Sequence, residues 1–147
     1  MLAALVARLT APFRRADRAI DFVPGGRLLD VGCGNGRLLT FLSERGWHGR
    51  YLGIDGSAWL LTAAEENLDS THAMAGFRHA DLRSPQWAAS LTGFVPDAIA
   101  CLAVLHHVPG AAHRARLVAE CAELLRPGGA LKVQLRVSGV ELMSLVP

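Results

Sequence analysis

Short apolar runs alternate with helix-like stretches along most of this chain. The runs are rich in Leu, Ile, Val and Ala, and glycine or an acidic residue lies at the end of several of them, which is typical of buried parallel strands. The stretches between them repeat apolar residues at three- and four-residue spacing, which predicts amphipathic helices. The predicted strands are Arg27–Val31, Tyr51–Ile54, Phe77–Ala80, Asp97–Leu102 and Ala130–Val137.

Capping residues mark the predicted helices between these strands. Ser57 is a suitable N-cap for a helix that runs to about Leu68, and Ser84 followed by Pro85 predicts a further helix that closes near Gly93. The other two predicted helices are Arg37–Glu44 and Ala111–Leu125. Strands that alternate with helices predict βαβ units, a parallel sheet and ligand binding at the carboxyl ends of the strands.

The two ends of the chain do not continue this alternation. Residues 1–24 are apolar and basic, with Arg8 inside the apolar part, so an amphipathic helical segment fits them better than a signal peptide. The tail, residues 138–147, is too short for a helix and two strands. The fifth strand is therefore expected to be an exposed edge. Three outcomes stay open: a homodimer covers the edge, the chain is a truncated product, or the tail folds back as one short strand.

Composition narrows the class of protein. A length of 147 residues predicts a single domain, and 51% hydrophobic residues exclude a disordered chain. A net charge of +2 is too small to indicate a nucleic-acid-binding protein by itself. The sequence contains no long apolar run without charges, so a membrane span is not expected. Three cysteines without a CxxC pair predict neither a disulfide framework nor a zinc site, which favours a reducing, cytoplasmic setting.

The main candidate site is the glycine-rich loop after the first strand, Asp30-Val31-Gly32-Cys33-Gly34-Asn35-Gly36. Three glycines bring the backbone close to a ligand, and the free amides of a helix start face the same way. The dinucleotide fingerprint GxGxxG/A fails because Arg37 occupies its last position, and the Lys of a phosphate-binding P-loop is absent. This argues against a nicotinamide oxidoreductase, which stays the third hypothesis.

Two acidic residues end the next strands and extend this candidate site. Asp55 stands at the end of the second strand, where a carboxylate accepts hydrogen bonds from ribose hydroxyls; a helix N-terminal acid is the alternative. Asp81 ends the third strand, where its carboxylate can accept from an adenine amino group while the amide of Leu82 donates to the ring. A turn-capping role for Asp81 is the alternative.

At these residues the chain resembles class I S-adenosylmethionine-dependent methyltransferases of the type 11-like kind. The resemblance implies a Rossmann-like three-layer αβα sandwich with strand order 3-2-1-4-5, here without the usual C-terminal antiparallel hairpin. It also includes a similarity to methyltransferases of tRNA wobble uridines. The matching segments are LLDVGCGNGRLL (28–39), YLGIDGS (51–57), HADL (79–82), DAIACLAVLHHV (97–108) and LLRPGGAL (124–131).

The resemblance implies a cofactor, S-adenosylmethionine, and a role for each motif residue. Gly32 and Gly34 would pass beneath its methionine part, Asp30 would help to hold its amino group, and Asp55 would bind the ribose. Asp81 and Leu82 would bind the adenine, and backbone near Cys101 would line the sulfonium side. The full set of predicted cofactor-binding residues is Asp30, Gly32, Cys33, Gly34, Asn35, Asp55, Gly56, Asp81, Leu82 and Cys101.

The acceptor of the methyl group is left open by the sequence. His106 and His107 follow the fourth strand, where an imidazole either packs at a helix start or contacts the acceptor as a base. The basic cluster Arg14, Arg15 and Arg18 is either a solvated helix face or a contact for an anionic acceptor such as RNA. We therefore expect a methyltransferase that acts on a small-molecule or RNA acceptor. The alternative is a non-catalytic or truncated module that only binds the cofactor.

Overall fold

A computed structural model describes residues 26–69, 72, 74–102, 104–136 and 140–145 of this chain. The predicted N-terminal helical segment, its arginine cluster and part of the tail lie outside the described residues. Six strands form one sheet in the order β3-β2-β1-β4-β5-β6, in which the first five strands are parallel. The predicted order 3-2-1-4-5 is confirmed. The strands are β1 (Arg27–Val31), β2 (Arg50–Asp55), β3 (Ala75–His79), β4 (Ala98–Cys101), β5 (Ala130–Arg136) and β6 (Val140–Leu145).

Three α-helices lie between these strands. They are α1 (Arg37–Ser43), α2 (Ala58–Glu66) and α3 (Ala111–Leu124). The hydroxyl of Ser57 accepts a hydrogen bond from the Leu60 amide and caps α2, as the sequence predicts. The helix predicted after Ser84-Pro85 is instead a 3₁₀ segment, Trp87–Leu91. Its amides bond three residues back, because so short a segment does not recover the cost of nucleating an α-helix.

The edge beyond β5 differs from the prediction. β6 pairs antiparallel with β5, from Leu131 opposite Leu145 to Arg136 opposite Val140. The tail therefore folds back as a strand, and the prediction that β5 is an exposed edge is wrong. One of the three expected outcomes, a tail that folds back as one short strand, is confirmed, and a homodimer is not needed to cover the β5 edge. The backbone groups of β5 find partners within the chain.

The two faces of the sheet bury different clusters. One face carries Leu29, Ile54 and Ile99 and packs against the 3₁₀ segment and Leu117 of α3. The other face packs against α1, and its cluster of buried residues is Leu28, Leu39, Leu42, Tyr51 and Ala100. Because alternate strand residues point to opposite faces, Asp30 falls on the same face as Leu28. Asp30 is buried among these apolar side chains, with 3% of its surface exposed, and it is the charged residue that the described residues bury.

A hydrogen bond joins the two elements that pack on the first face of the sheet, the 3₁₀ segment and α3. The indole of Trp87 donates to Oε2 of Glu120 over 2.7 Å, and Trp87 itself is buried. Glu120 also pairs with Arg116 one turn earlier on α3. The segment that follows β3 is thereby fixed to α3. Within the described residues, no helix is long and apolar enough to cross a membrane.

Candidate functional site

The glycine-rich loop bends between β1 and α1 in a conformation that glycine adopts readily. Gly32, Gly34 and Gly36 have φ values of 72°, 55° and 82°, in the left-handed region that disfavours a side chain. The amides of Gly32 and Cys33 both donate to the carbonyl of Ile54, over 2.8 and 3.0 Å. These bonds fix the loop against the end of β2, so the turn is held at the carboxyl edge of the sheet.

The space around two of these glycines separates their roles. A Cβ atom at Gly32 would lie 2.1 Å from Cγ2 of Val104, so close packing requires glycine there. A Cβ atom at Gly34 would meet nothing within 4 Å. Gly34 therefore faces open space, as a position over which a ligand passes should.

Asp55 stands at the edge of this space and is already oriented by backbone amides. Gly34 N–H donates to Oδ2 of Asp55 over 2.9 Å, and Ser57 N–H donates to Oδ1 over 2.8 Å. Each carboxylate oxygen accepts more than one hydrogen bond, so both keep acceptor capacity for the hydroxyls of a ribose. The glycine loop and Asp55 therefore lie side by side, as the sequence predicts.

A cleft of about 720 Å³ opens between these groups. The loop and the ends of β2 and β3 form its polar side, and the segment after β4 forms its apolar side. This volume lies within the range that small-molecule sites occupy. The residues around it are Gly32, Gly34, Asp55, Gly56, Leu60, His79, Asp81, Leu82, Arg83, Val104, His107 and Val108.

Asp81 lines this cleft, and its carboxylate is paired with the guanidinium group of Arg83. Arg83 donates from Nε to Oδ1 over 3.0 Å and from Nη2 to Oδ2 over 3.1 Å, and its backbone amide also bonds Oδ1. The side-chain hydrogen bonds from Arg83 are the main reason that the pKa of Asp81 is lowered. Leu82 lies between the two, partly buried against the core. The carboxylate therefore stays ionised, and Arg83 restricts the directions from which it accepts a ligand proton.

Asp30 lies in an adjoining pocket of about 460 Å³, which also touches Gly32. The hydroxyl of Tyr51 donates to Oδ2 of Asp30 over 2.5 Å. Burial raises the pKa of Asp30 to about 7, the Tyr51 hydrogen bond opposes this rise, and the charge of Asp55 adds to it. The other residues around this pocket are Cys33, Arg37, Leu38, Phe41 and Leu102.

Three predicted residues contribute less to the cleft than expected. Cys33 is buried, and burial raises the pKa of its thiol well above the ordinary value, so it is unsuited to act as a nucleophile. Cys101 belongs to the core cluster, where burial raises its pKa to about 12, and the neighbouring Leu102 lines the Asp30 pocket instead. Asn35 is half-buried between two turn glycines and lines neither pocket.

Two histidines lie along the cleft. His107 is exposed in the 3₁₀ turn Leu105–His107, and the Nε2 atom of His79 lies 3.0 Å from the carbonyl of Gly56. The side chain of His106 lies outside the described residues. Across the described ranges, no cluster of three His, Cys, Asp or Glu residues has the arrangement of a metal site.

Sequence reasoning missed several residues that shape these pockets. In the sequence, Tyr51 looks like an ordinary aromatic residue of a strand. Its hydrogen bond to Asp30 becomes visible only when β2 is paired with β1 in the structure. Arg83 reads as a loop charge, although its position two residues after Asp81 is a usable signal for a local pair. Val104 and Val108 were assigned no role, yet they provide the apolar side of the cleft.

Comparison with known proteins identifies the family. Residues 28–129 match the profile of the methyltransferase domain. The chain belongs to this family, and its fold is that of class I S-adenosylmethionine-dependent methyltransferases. Over 105 residues it is 37% identical to the ubiquinone biosynthesis O-methyltransferase of Aromatoleum aromaticum, covering 71% of this chain. That relative is matched over only 42% of its own length.

Solved structures agree with this assignment of the fold. An S-adenosylmethionine-dependent methyltransferase from Mesorhizobium loti superposes with a TM-score of 0.62 at 26% identity, over 90% of this chain and 51% of that one. The plantazolicin methyltransferase BamL, solved in complex with a triazolic desmethylPZN analogue and SAH, superposes with a TM-score of 0.60 at 19% identity. It matches over 78% of this chain and 39% of its own.

Proposed function

We propose that this chain carries the cofactor-binding domain of an S-adenosylmethionine-dependent methyltransferase. The observation that supports this most directly is the Gly34–Asp55 hydrogen bond at the floor of the cleft. It places a pre-oriented carboxylate beside an unobstructed glycine, which suits a ribose with a chain extending from it. The Asp30 pocket adjoins the same glycine loop through Gly32, and there a carboxylate suits the ammonium end of an amino acid.

The predicted residues then divide into binding roles. Asp55 would accept from the ribose hydroxyls, Asp30 would hold the amino group, and Asp81 with Leu82 would bind the adenine edge. Gly32, Gly34 and Gly56 would allow close approach of the backbone. The bound cofactor supplies an electrophilic methyl group on its sulfonium, and the protein contributes in-line placement of the acceptor and exclusion of water. Cys33, Asn35 and Cys101 would act through the shape of the loop and the β4 end.

We propose further that the acceptor is a small molecule methylated on oxygen. Curated relatives at 35–38% identity are named ubiquinone biosynthesis O-methyltransferases, which favours a hydroxyl acceptor over RNA. A hydroxyl must lose its proton on methylation, and the imidazole of His107, which lines the cleft, would accept it. The free thiols of Cys33, Cys101 and Cys121 agree with a reducing compartment, so we place the protein in the cytoplasm.

Calorimetry with S-adenosylhomocysteine is the direct test of cofactor binding. We expect binding in the micromolar range, and tight NAD binding in its place would overturn the proposal. Incubation with methyl-labelled S-adenosylmethionine and either catechol-type phenols or total RNA then tests the acceptor. Label in the phenols supports the O-methyl assignment, and label in RNA contradicts it. Cofactor binding without transfer to any acceptor favours the non-catalytic module.

A further inference from the structure

A tyrosine on the neighbouring strand holds the buried carboxylate of the second pocket. Asp30 of β1 lies opposite Gly53 of β2 and Ala100 of β4, so both neighbours at its register are small. Tyr51 of β2 lies opposite Leu28, two residues before Asp30, and its hydroxyl donates to Oδ2 of Asp30. Among the described residues, Tyr51 is the side chain that donates to this carboxyl group, and Asp30 lines the pocket, so its remaining acceptor capacity is available to a ligand there.

We infer that Tyr51 is a positioning residue for cofactor binding, whose hydroxyl favours the ionised form of the Asp30 carboxyl group and directs this group at the amino-acid end of the ligand. This inference rests on the proposed function. An ammonium group gains from a buried carboxylate only when that carboxylate carries its charge. The hydroxyl of Tyr51 stabilises the ionised form, because a charge-assisted hydrogen bond is stronger than a neutral one.

The other groups that face Asp30 do not replace this contribution. Burial raises the pKa values of the Cys33 and Cys101 thiols, which stay neutral and supply no positive charge. Asp55 carries a like charge that opposes ionisation of Asp30. Arg37 of α1 lines the same pocket but is exposed, so solvent screens its charge. The hydrogen bond from Tyr51 lowers the pKa of Asp30, which burial would otherwise raise further above 7.

The packing of Tyr51 is separable from its hydroxyl. Its ring lies edge-on to Phe77, with centroids 5.8 Å apart, and it is buried in the α1-side cluster. Phenylalanine at this position keeps the ring and its packing. The variant Tyr51→Phe therefore removes the hydrogen bond to Asp30 with little change of shape. Thr62→Ala is a matched control, because it removes an exposed hydroxyl of α2 that bonds only the carbonyl of Ala58.

Two ligands distinguish positioning of Asp30 from a general effect on the fold. S-Adenosylhomocysteine carries the α-amino group, and 5′-methylthioadenosine shares the nucleoside but lacks it. In the wild-type chain we expect the affinity for the first to rise as pH passes through about 7, while the affinity for the second stays flat. Asp30→Asn should remove the rise, because the amide does not titrate.

In Tyr51→Phe the rise should move to higher pH by about one unit, which means about fivefold weaker binding of S-adenosylhomocysteine at pH 7, where the wild-type carboxyl is about half ionised. Binding of 5′-methylthioadenosine should change less than about twofold, and Thr62→Ala should match the wild type with both ligands. A ¹³C titration of the Asp30 carboxyl in the ligand-free chain should show the same upward shift of its pKa. Equal weakening of both ligands, or an unmoved rise, would overturn the inference. Failure of the wild-type chain to bind either ligand would instead overturn the proposed function.

Discussion

The amide of Gly34 and the carboxylate of Asp55 are hydrogen-bonded over 2.9 Å, although 21 residues separate them. The bond joins the glycine-rich loop to the end of β2. A second bond, from Ser57 N–H, fixes the other oxygen of the same carboxylate. The side chain is thereby held in one orientation, and a ligand meets it without the cost of ordering it.

Replacement of Asp55 should abolish most of the affinity for the cofactor. Hydrogen bonds to a charged group are worth about 1.5–3 kcal/mol, so Asp55→Ala should weaken S-adenosylhomocysteine by about 10- to 100-fold in calorimetry. The exposed Glu65 on α2 offers a control, and Glu65→Gln should bind like the wild type. Retention of full affinity in Asp55→Ala would contradict the assigned ribose contact.

Two alanine substitutions in the glycine loop should differ in what they weaken most. Gly32→Ala should mainly reduce stability, and Gly34→Ala should mainly reduce ligand binding. Gly32→Ala forces a left-handed φ on alanine and drives its Cβ into Val104, which together should cost about 2–4 kcal/mol of unfolding free energy in urea titrations. Gly34→Ala meets no atom and should cost about 1 kcal/mol. Its methyl group enters the ligand space, so the binding loss in Gly34→Ala should exceed its stability loss. Equal destabilisation by both variants would contradict this division.

Asp30 should make the chain less stable as pH rises. Burial raises its pKa from the ordinary 3.8 to about 7, so the folded state holds a proton that the unfolded state has lost. The contribution is fully present below about pH 4 and disappears as pH rises through about 7; a shift of this size corresponds to about 4 kcal/mol at most. Denaturant titrations at several pH values should show this decline in the wild type and a flatter profile in Asp30→Asn. A wild-type profile that rises over this window would exclude a proton on Asp30.

Removal of Arg83 should raise the pKa of Asp81 towards its ordinary value. The side-chain hydrogen bonds from Arg83 are the main cause of the lowering, and the charge of the guanidinium adds to it. A ¹³C titration of the Asp81 carboxyl in Arg83→Ala measures the shift, with Arg45→Ala in the exposed turn after α1 as the control. Because the pair is exposed, the unfolding free energy should stay at the wild-type value. An unchanged pKa would show that another group holds the carboxylate.

The parallel sheet was predictable from the sequence because its strands are short, apolar and separated by stretches with the apolar spacing of amphipathic helices. Asp55 and the glycine loop were placed together for the same reason, since parallel strands bring their carboxyl ends to one edge. A tail that folds back as one short strand was among the expected outcomes, but its register was not predictable, because the sequence pattern does not fix which residues of β6 lie opposite which residues of β5. Tyr51 was missed because a hydroxyl that crosses between strands leaves no local pattern.

The bond between Trp87 and Glu120 has a consequence for the way a ligand enters. It ties the chain that follows Leu82 and Arg83 to the long helix α3, so this side of the cleft is anchored to the body of the sheet. A ligand therefore enters a cleft whose wall on this side is held rigidly, and binding does not require that wall to move first. We expect the arrival of the ligand to follow single-step kinetics, with a rate proportional to concentration over the whole measurable range.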